Sequence, residues 1–287
     1  MSSLLFYLLT LITILTATVH TLLFLGRVLK NDALEFYGRF LAGSIALFVC
    51  ALYGMIASAV LNVVGYGGLG QWTTARAYKW TMLLVTGVWF DIHDGGAPGG
   101  GSAGGWLDKT RPAVFVGNHQ SELDILSLGH IFPKYCSVSA KASLRYMPLL
   151  GWFMYLSKTV FIERASREKA LAAFADAAKQ MHDARQSVYI FPEGTRSYYD
   201  HADLLPFKKG AFHLAIQAQV PIVPVVVANY SHILNVKARR FTTGRIPIKI
   251  LEPISTKGLT KDDVDDLLEK VRSSMLAELK TLTAEAR

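Results

Sequence analysis

Two long runs without an ionised side chain fill most of the amino-terminal quarter of the chain, residues 3–25 and 40–64. Each exceeds the roughly 20 apolar residues that a helix needs to cross hydrocarbon. In lipid the backbone must satisfy its own hydrogen bonds, so each run is expected to be helical. Between them lie Arg27, Lys30, Asp32, Glu35 and Arg39, a loop that belongs outside a bilayer core. A cleaved signal peptide would have a shorter apolar part with basic residues before it, and no second run behind it. The expectation is a membrane-embedded helical pair. Hydropathy does not separate a spanning pair from one that dips in as a hairpin.

Composition points the same way. Half of the 287 residues are hydrophobic (51%), and the formal net charge is +8. Excess positive charge suits nucleic acid, anionic lipid head groups or phosphorylated substrates. The hydrophobicity favours the lipid-related partners over nucleic acid. Two cysteines, Cys50 and Cys136, make neither a disulfide framework nor a zinc site. Arg76, Lys79 and Trp80 precede a short apolar stretch, residues 81–90, which reads as an interfacial helix or as the lead-in to a soluble domain. Residues 95–105 are glycine-rich but lack the lysine that closes a phosphate loop, so a flexible loop is expected. The division that follows is 1–90 for the membrane-embedded and interfacial helices, 91–111 for the loop, and 112–287 for the remainder.

From residue 113 apolar runs alternate with helical patterns. Residues 113–116, 135–139, 159–162, 187–191, 222–227 and 248–251 read as strands. Leu171, Phe174, Ala178 and Met181 recur at helical spacing after Ser166, and a final amphipathic helix follows Leu259. The pattern predicts an α/β domain with a mostly buried mixed sheet flanked by helices. Pro221 and Pro224 argue that their strand is an edge or carries a bulge. That strand either lines a groove for an acyl chain or is plain core.

The chemistry concentrates in Asn118-His119-Gln120-Ser121-Glu122-Leu123-Asp124, where a strand gives way to a helix. Five residues apart on a helix, two side chains diverge by roughly 140°. His119 and Asp124 meet only if His119 lies in the preceding turn. A neutral imidazole held by a carboxylate is a general base suited to pH 7. Ser121-x-x-Asp124 is equally a helix-start signature, with Asp124 as a cap. Glu163-Arg164 ends one predicted strand and Glu193-Gly194-Thr195-Arg196 another. Ligands bind beyond the carboxyl ends of strands in open α/β sheets. Two arginines there, with Lys141 after a third strand, have the fork geometry and charge for one phosphate.

These residues resemble the glycerolipid acyltransferases with an H-x4-D signature, and within them the 1-acyl-sn-glycerol-3-phosphate acyltransferases. Four blocks carry the resemblance in order: Asn118 to Asp124, Gly151-Trp152 through Arg164, Phe191 to Ser197, and Val220-Pro221-Ile222-Val223-Pro224. The resemblance implies a glycerolipid acyltransferase-like fold and transfer of an acyl group from acyl-CoA to the sn-2 hydroxyl of lysophosphatidate. His119 would be the base and Asp124 its orienting partner. Arg164, Arg196 and the weaker candidate Lys141 would hold phosphate. Glu193, Gly194 and Thr195 would shape the acceptor site, and Val220, Pro221, Ile222 and Pro224 would lie near the acyl donor. Acyl-CoA enters as co-substrate, with no bound cofactor and no metal. The backbone N–H groups near Ser121 are candidate oxyanion donors. The partners implied are the lipid bilayer and its lysolipids, in an endoplasmic reticulum membrane.

Overall fold

The computed structural model describes residues 2–100, 103–163 and 165–286. The chain opens with a helical hairpin, α1 (Ser2–Val28) and α2 (Asp32–Val63), long enough by length and composition to cross a membrane. Asn31 caps α2 through its side-chain oxygen, which accepts from the N–H of Ala33 and Leu34. The hairpin's two members differ. Among the described residues, none of the most apolar window of α1 is fully buried, whereas 28% of that of α2 is. Ala42, Ala46, Cys50, Gly54 and Ser58 form a buried stripe of small residues four apart along α2. That spacing puts them on one face, where a neighbouring backbone can approach closely. The neighbours are α3 (Gly70–Thr86) and α6 (Leu150–Leu156). Arg39 at one end of α2 donates to the Thr86 carbonyl, and Asn62 at the other donates to the Leu156 carbonyl. The folded domain therefore flanks α2 over about 35 Å.

β1 (Val88–Asp94) follows α3 directly. The stretch 81–90, read as an interfacial helix or the lead-in to a soluble domain, is a lead-in, divided between the end of α3 and the first strand of the sheet. Short apolar runs do not separate helix from strand by periodicity. Asp94, fully buried, accepts from the N–H of Gly96, Trp106 and Leu107. The glycine-rich segment is thus tied down at both ends, and the one-turn helix α4 (Trp106–Lys109) closes it.

The remaining elements are β2 (Val114–Gly117), α5 (Asp124–Ile131), β3 (Cys136–Lys141), β4 (Val160–Ile162), α7 (Arg167–Asp183), β5 (Ser187–Ile190), α8 (Gly210–Ala218), β6 (Ile222–Val227), the short pair β7 (Leu234–Asn235) and β8 (Arg240–Phe241), β9 (Gly244–Ile250) and α9 (Val264–Glu285). Among the described residues seven strands form one sheet in the order β1-β9-β6-β2-β5-β3-β4. It is parallel except where β9 meets β6. The mixed, mostly buried sheet of the sequence reading is what forms. Alternating residues feed two cores. Val114 and Val116 pack with α7, α8 and α9, while Phe115 packs with α2, α3 and α5.

The two prolines do not mark an edge. β6 is central and buried along its length, paired with β2 on one side and β9 on the other. The Pro224 carbonyl accepts from the Leu251 N–H. Because N–H and C=O of one residue point the same way in a strand, the donor that Pro224 lacks falls just past the end of β9.

Candidate active site

His119 leaves the end of β2 and Asp124 begins α5. The turn between them folds the imidazole back, so His119 Nδ1 lies 2.6 Å from Asp124 Oδ2. The same oxygen accepts from the N–H of Gln120 (2.6 Å) and Ser121 (3.1 Å). Asp124 therefore orients the imidazole and ties down the turn before α5, whose N-cap position, Leu123, has no side-chain cap. An ionised carboxylate only accepts, so Nδ1 carries the proton and Nε2 is left to take one. The ring lies flat on Phe191, centroids 4.2 Å apart.

Two other groups hold this turn. The buried Glu193 carboxylate accepts from the His119 N–H at 2.7 Å and from the Leu205 N–H at 3.0 Å. Burial pushes its carboxyl up to about 7, against the pull of those two donors. Asn118 pairs with Val227 as a strand residue would, donating to its carbonyl and accepting from its N–H. Gln120 donates to the carbonyls of Val227 and Ala228. The turn thus hangs on the end of β6. Tyr230, three residues beyond that strand, donates to Asp124 Oδ1 at 2.6 Å and accepts from Ser121 N and Oγ, both at 3.0 Å. Burial holds its phenol well above the ordinary range, so the hydroxyl stays a donor.

His119, Lys141, Gly194, Thr195, Arg196 and Tyr198 line one cavity of about 450 Å³. The other lining is mainly apolar, including Leu47 and Cys50 from α2, Tyr78 from α3 and Phe153 from α6. One wall of the cavity thus comes from the helical hairpin. Gly194 sits at φ 70, where a side chain is strained, and a Cβ there would press on Lys208. Arg196 is not a free cation. Its Nη1 donates to Glu122 Oε1 (2.8 Å) and to the Tyr198 hydroxyl (3.1 Å), and Tyr198 donates to the same carboxylate oxygen.

Three sequence expectations need revision or fall on residues outside those described. The N–H groups of Gln120 and Ser121 are consumed by Asp124, so they are not oxyanion donors. Those of Thr195 and Arg196 make no hydrogen bond among the described residues. Val220, Pro221, Ile222 and Pro224 do not line the cavity. Val220 and Ile222 are buried in the core, and in the parallel pairing of β6 with β2 this end of the strand lies opposite Val114, away from His119. Arg164 lies outside the described residues. Among the described residues, no group of three or more His, Cys, Asp or Glu gathers as a metal would require.

Residues 106–228 match the family model described as Acyltransferase. The chain is 43% identical over 247 residues to a 1-acyl-sn-glycerol-3-phosphate acyltransferase of Saccharomyces cerevisiae, covering 86% of this chain and 78% of that protein. It is 36% identical over 263 residues to the human 1-acyl-sn-glycerol-3-phosphate acyltransferase beta, covering 88% and 87%. The fold is similar to the crystal structure of the 1-acyl-sn-glycerophosphate (LPA) acyltransferase PlsC from Thermotoga maritima. The TM-score is 0.54 at 25% identity, over 83% of this chain and 98% of that one.

Proposed function

This chain belongs to the 1-acyl-sn-glycerol-3-phosphate acyltransferase family, and from that membership we propose that it acylates the sn-2 hydroxyl of 1-acyl-sn-glycerol-3-phosphate with acyl-CoA, making phosphatidic acid. The observation that carries the proposal is that His119, held from behind by the buried Asp124, lines the same cavity as the cations Arg196 and Lys141.

His119 Nε2 takes the proton of the sn-2 hydroxyl as its oxygen attacks the thioester carbonyl carbon. The C–S bond breaks, and the departing CoA thiolate receives the proton back from the imidazolium. Asp124 steadies that imidazolium, as a carboxylate does in serine hydrolases. A positioned general base contributes about 10²–10⁴-fold, so orientation and oxyanion stabilisation supply the rest. Thr195 and Arg196 line the cavity, and their N–H groups, which make no hydrogen bond among the described residues, are our candidates for the second of these. Arg196 and Lys141, with Arg164, bind the acceptor phosphate, and Gly194 and Thr195 border it. The apolar lining takes an acyl chain.

Contact of α2 with the folded domain over about 35 Å bears on how the hairpin sits. The hydrocarbon core is about 30 Å thick. A spanning α2 would draw α3, with Arg76 and Lys79, into it. The hairpin therefore enters one leaflet without crossing, and the site stays at that surface.

Glu122 offsets part of the positive charge on Arg196, which favours a second acceptor class, lysophospholipids whose phosphate is a singly charged diester. The deciding experiment supplies purified enzyme with acyl-CoA donors and either lysophosphatidate or diester lysolipids, identifying products by mass. Phosphatidic acid is the expected product. Free fatty acid alone, or turnover only of diesters, would replace the proposal.

A further inference from the structure

The cavity has a wall that hydropathy does not flag as membrane-associated. Between β3 and β4 the chain forms a short 3-10 turn (Ala142–Tyr146) and then α6. Leu144, Leu150, Phe153 and Met154 point inward and line the cavity. The opposite face is aromatic and bare. Tyr146 is 82% exposed, Trp152 54% and Tyr155 60%. A water-soluble surface seldom gathers large aromatic side chains in this way.

We propose that residues 142–156 are a membrane-contacting lid, with the outer aromatic face seated in the lipid head-group region and the inner face closing the acyl cavity. The proposal rests on the acyltransferase reading for the identity of what the cavity holds. Three observations carry it. First, Trp and Tyr pair an apolar ring with a polar edge, which suits them to the water–hydrocarbon boundary. Second, from Lys134 to Ile162 the chain has four basic residues, Lys134, Lys141, Arg145 and Lys158, and no acidic one. Arg145 lies over the rings of Tyr155 and Phe161, at 4.9 and 5.2 Å. Such a segment is drawn to anionic head groups. Third, the face continues onto the membrane hairpin. Phe153 packs on Gly54, where a Cβ would stand 2.7 Å from the ring. Next to it on α2, Tyr53 is 47% and Ile56 57% exposed. Aromatic lid and apolar hairpin thus present one surface, and lipid is the partner that fits all of it. Bilayer contact and cavity wall are then opposite faces of the same short helix, so an acyl chain reaches the site without passing through water.

The test compares the wild type with the double variant Tyr146→Ser, Trp152→Ser. Neither residue lines the cavity. Long-chain lysophosphatidate is presented in vesicles of phosphatidylcholine and phosphatidylglycerol, and a short-chain lysophosphatidate is dissolved as monomers. The variant is expected to raise KM for the vesicle-borne acceptor about tenfold, a loss of about 1.4 kcal/mol, and to leave short-chain kinetics unchanged. Equal losses on both acceptors, or no loss on either, would overturn the lid. An independent reading uses brominated phosphatidylcholine in the same vesicles. Quenching of tryptophan fluorescence should fall in Trp152→Phe, and an unchanged quenching curve counts against the proposal. Association of the wild type into dimers that the double variant abolishes would assign the face to a second copy instead. If the wild type turns over neither acceptor, the proposed reaction is wrong, while the quenching comparison still decides the lid.

Discussion

The Tyr230 hydroxyl donates to Oδ1 of Asp124 at 2.6 Å, the carboxylate oxygen that His119 does not use. With three donors already on Oδ2, this bond fixes the rotation of the carboxylate and so the aim of the imidazole. Tyr230→Phe is expected to lower kcat about tenfold or more with little change in either KM, since a hydrogen bond to a charged group is worth about 1.5–3 kcal/mol. A kcat within twofold of the wild type would confine Tyr230 to packing.

His119→Ala should abolish transfer while the protein remains folded and membrane-bound. Product formation is compared with circular dichroism and flotation with lipid. A general base is worth about 10²–10⁴-fold, and activity within tenfold of the wild type would remove His119 from the mechanism.

Arg196→Ala should raise the acceptor KM by about tenfold to a hundredfold, the scale of one lost charge-assisted contact, and leave the acyl-CoA KM in place. The measurement varies lysophosphatidate at saturating donor. An unchanged acceptor KM would move the phosphate to other cations.

Glu193 predicts a pH dependence of stability. Its folded value, about 7, lies above its ordinary 4.5. Between those values the folded state holds more protons than the unfolded one, so this group's contribution to stability falls as pH rises through that window. The full difference is on the order of 3 kcal/mol. Melting temperatures of wild type and Glu193→Gln from pH 4.5 to 8 should show the wild type losing stability along a slope that the variant lacks. Parallel curves would mean that Glu193 does not titrate there.

The one-leaflet hairpin predicts sidedness. Cysteines introduced at Lys30 and Tyr66, near the two ends of α2, should react with an impermeant maleimide from the same face of sealed vesicles. The native Cys50 and Cys136 are buried. Reaction from opposite faces would make α2 a true span.

The sequence alone determined the elements and the family. Apolar runs of a given length and period can form only a few structures, and motifs four or five residues long are read locally. Most strands and the helical hairpin were legible for that reason, and so was the nearness of His119 to Asp124 and the gathering of His119, Arg196 and Lys141 about one cavity. Tertiary structure decided what depends on partners distant in the chain. Pro224 became part of a central strand because β9 ends beside it. Tyr230 joined the His119–Asp124 turn across 106 residues of chain, and nothing in its local sequence marks it. The four helical-spaced small residues of α2, with Ser58, became a packing face because α3 and α6 approach there, although hydropathy treats them as another part of a membrane helix. Local sequence sets backbone preference and side-chain chemistry. Burial, and the choice of which donor meets which acceptor, exist only once the chain has closed on itself.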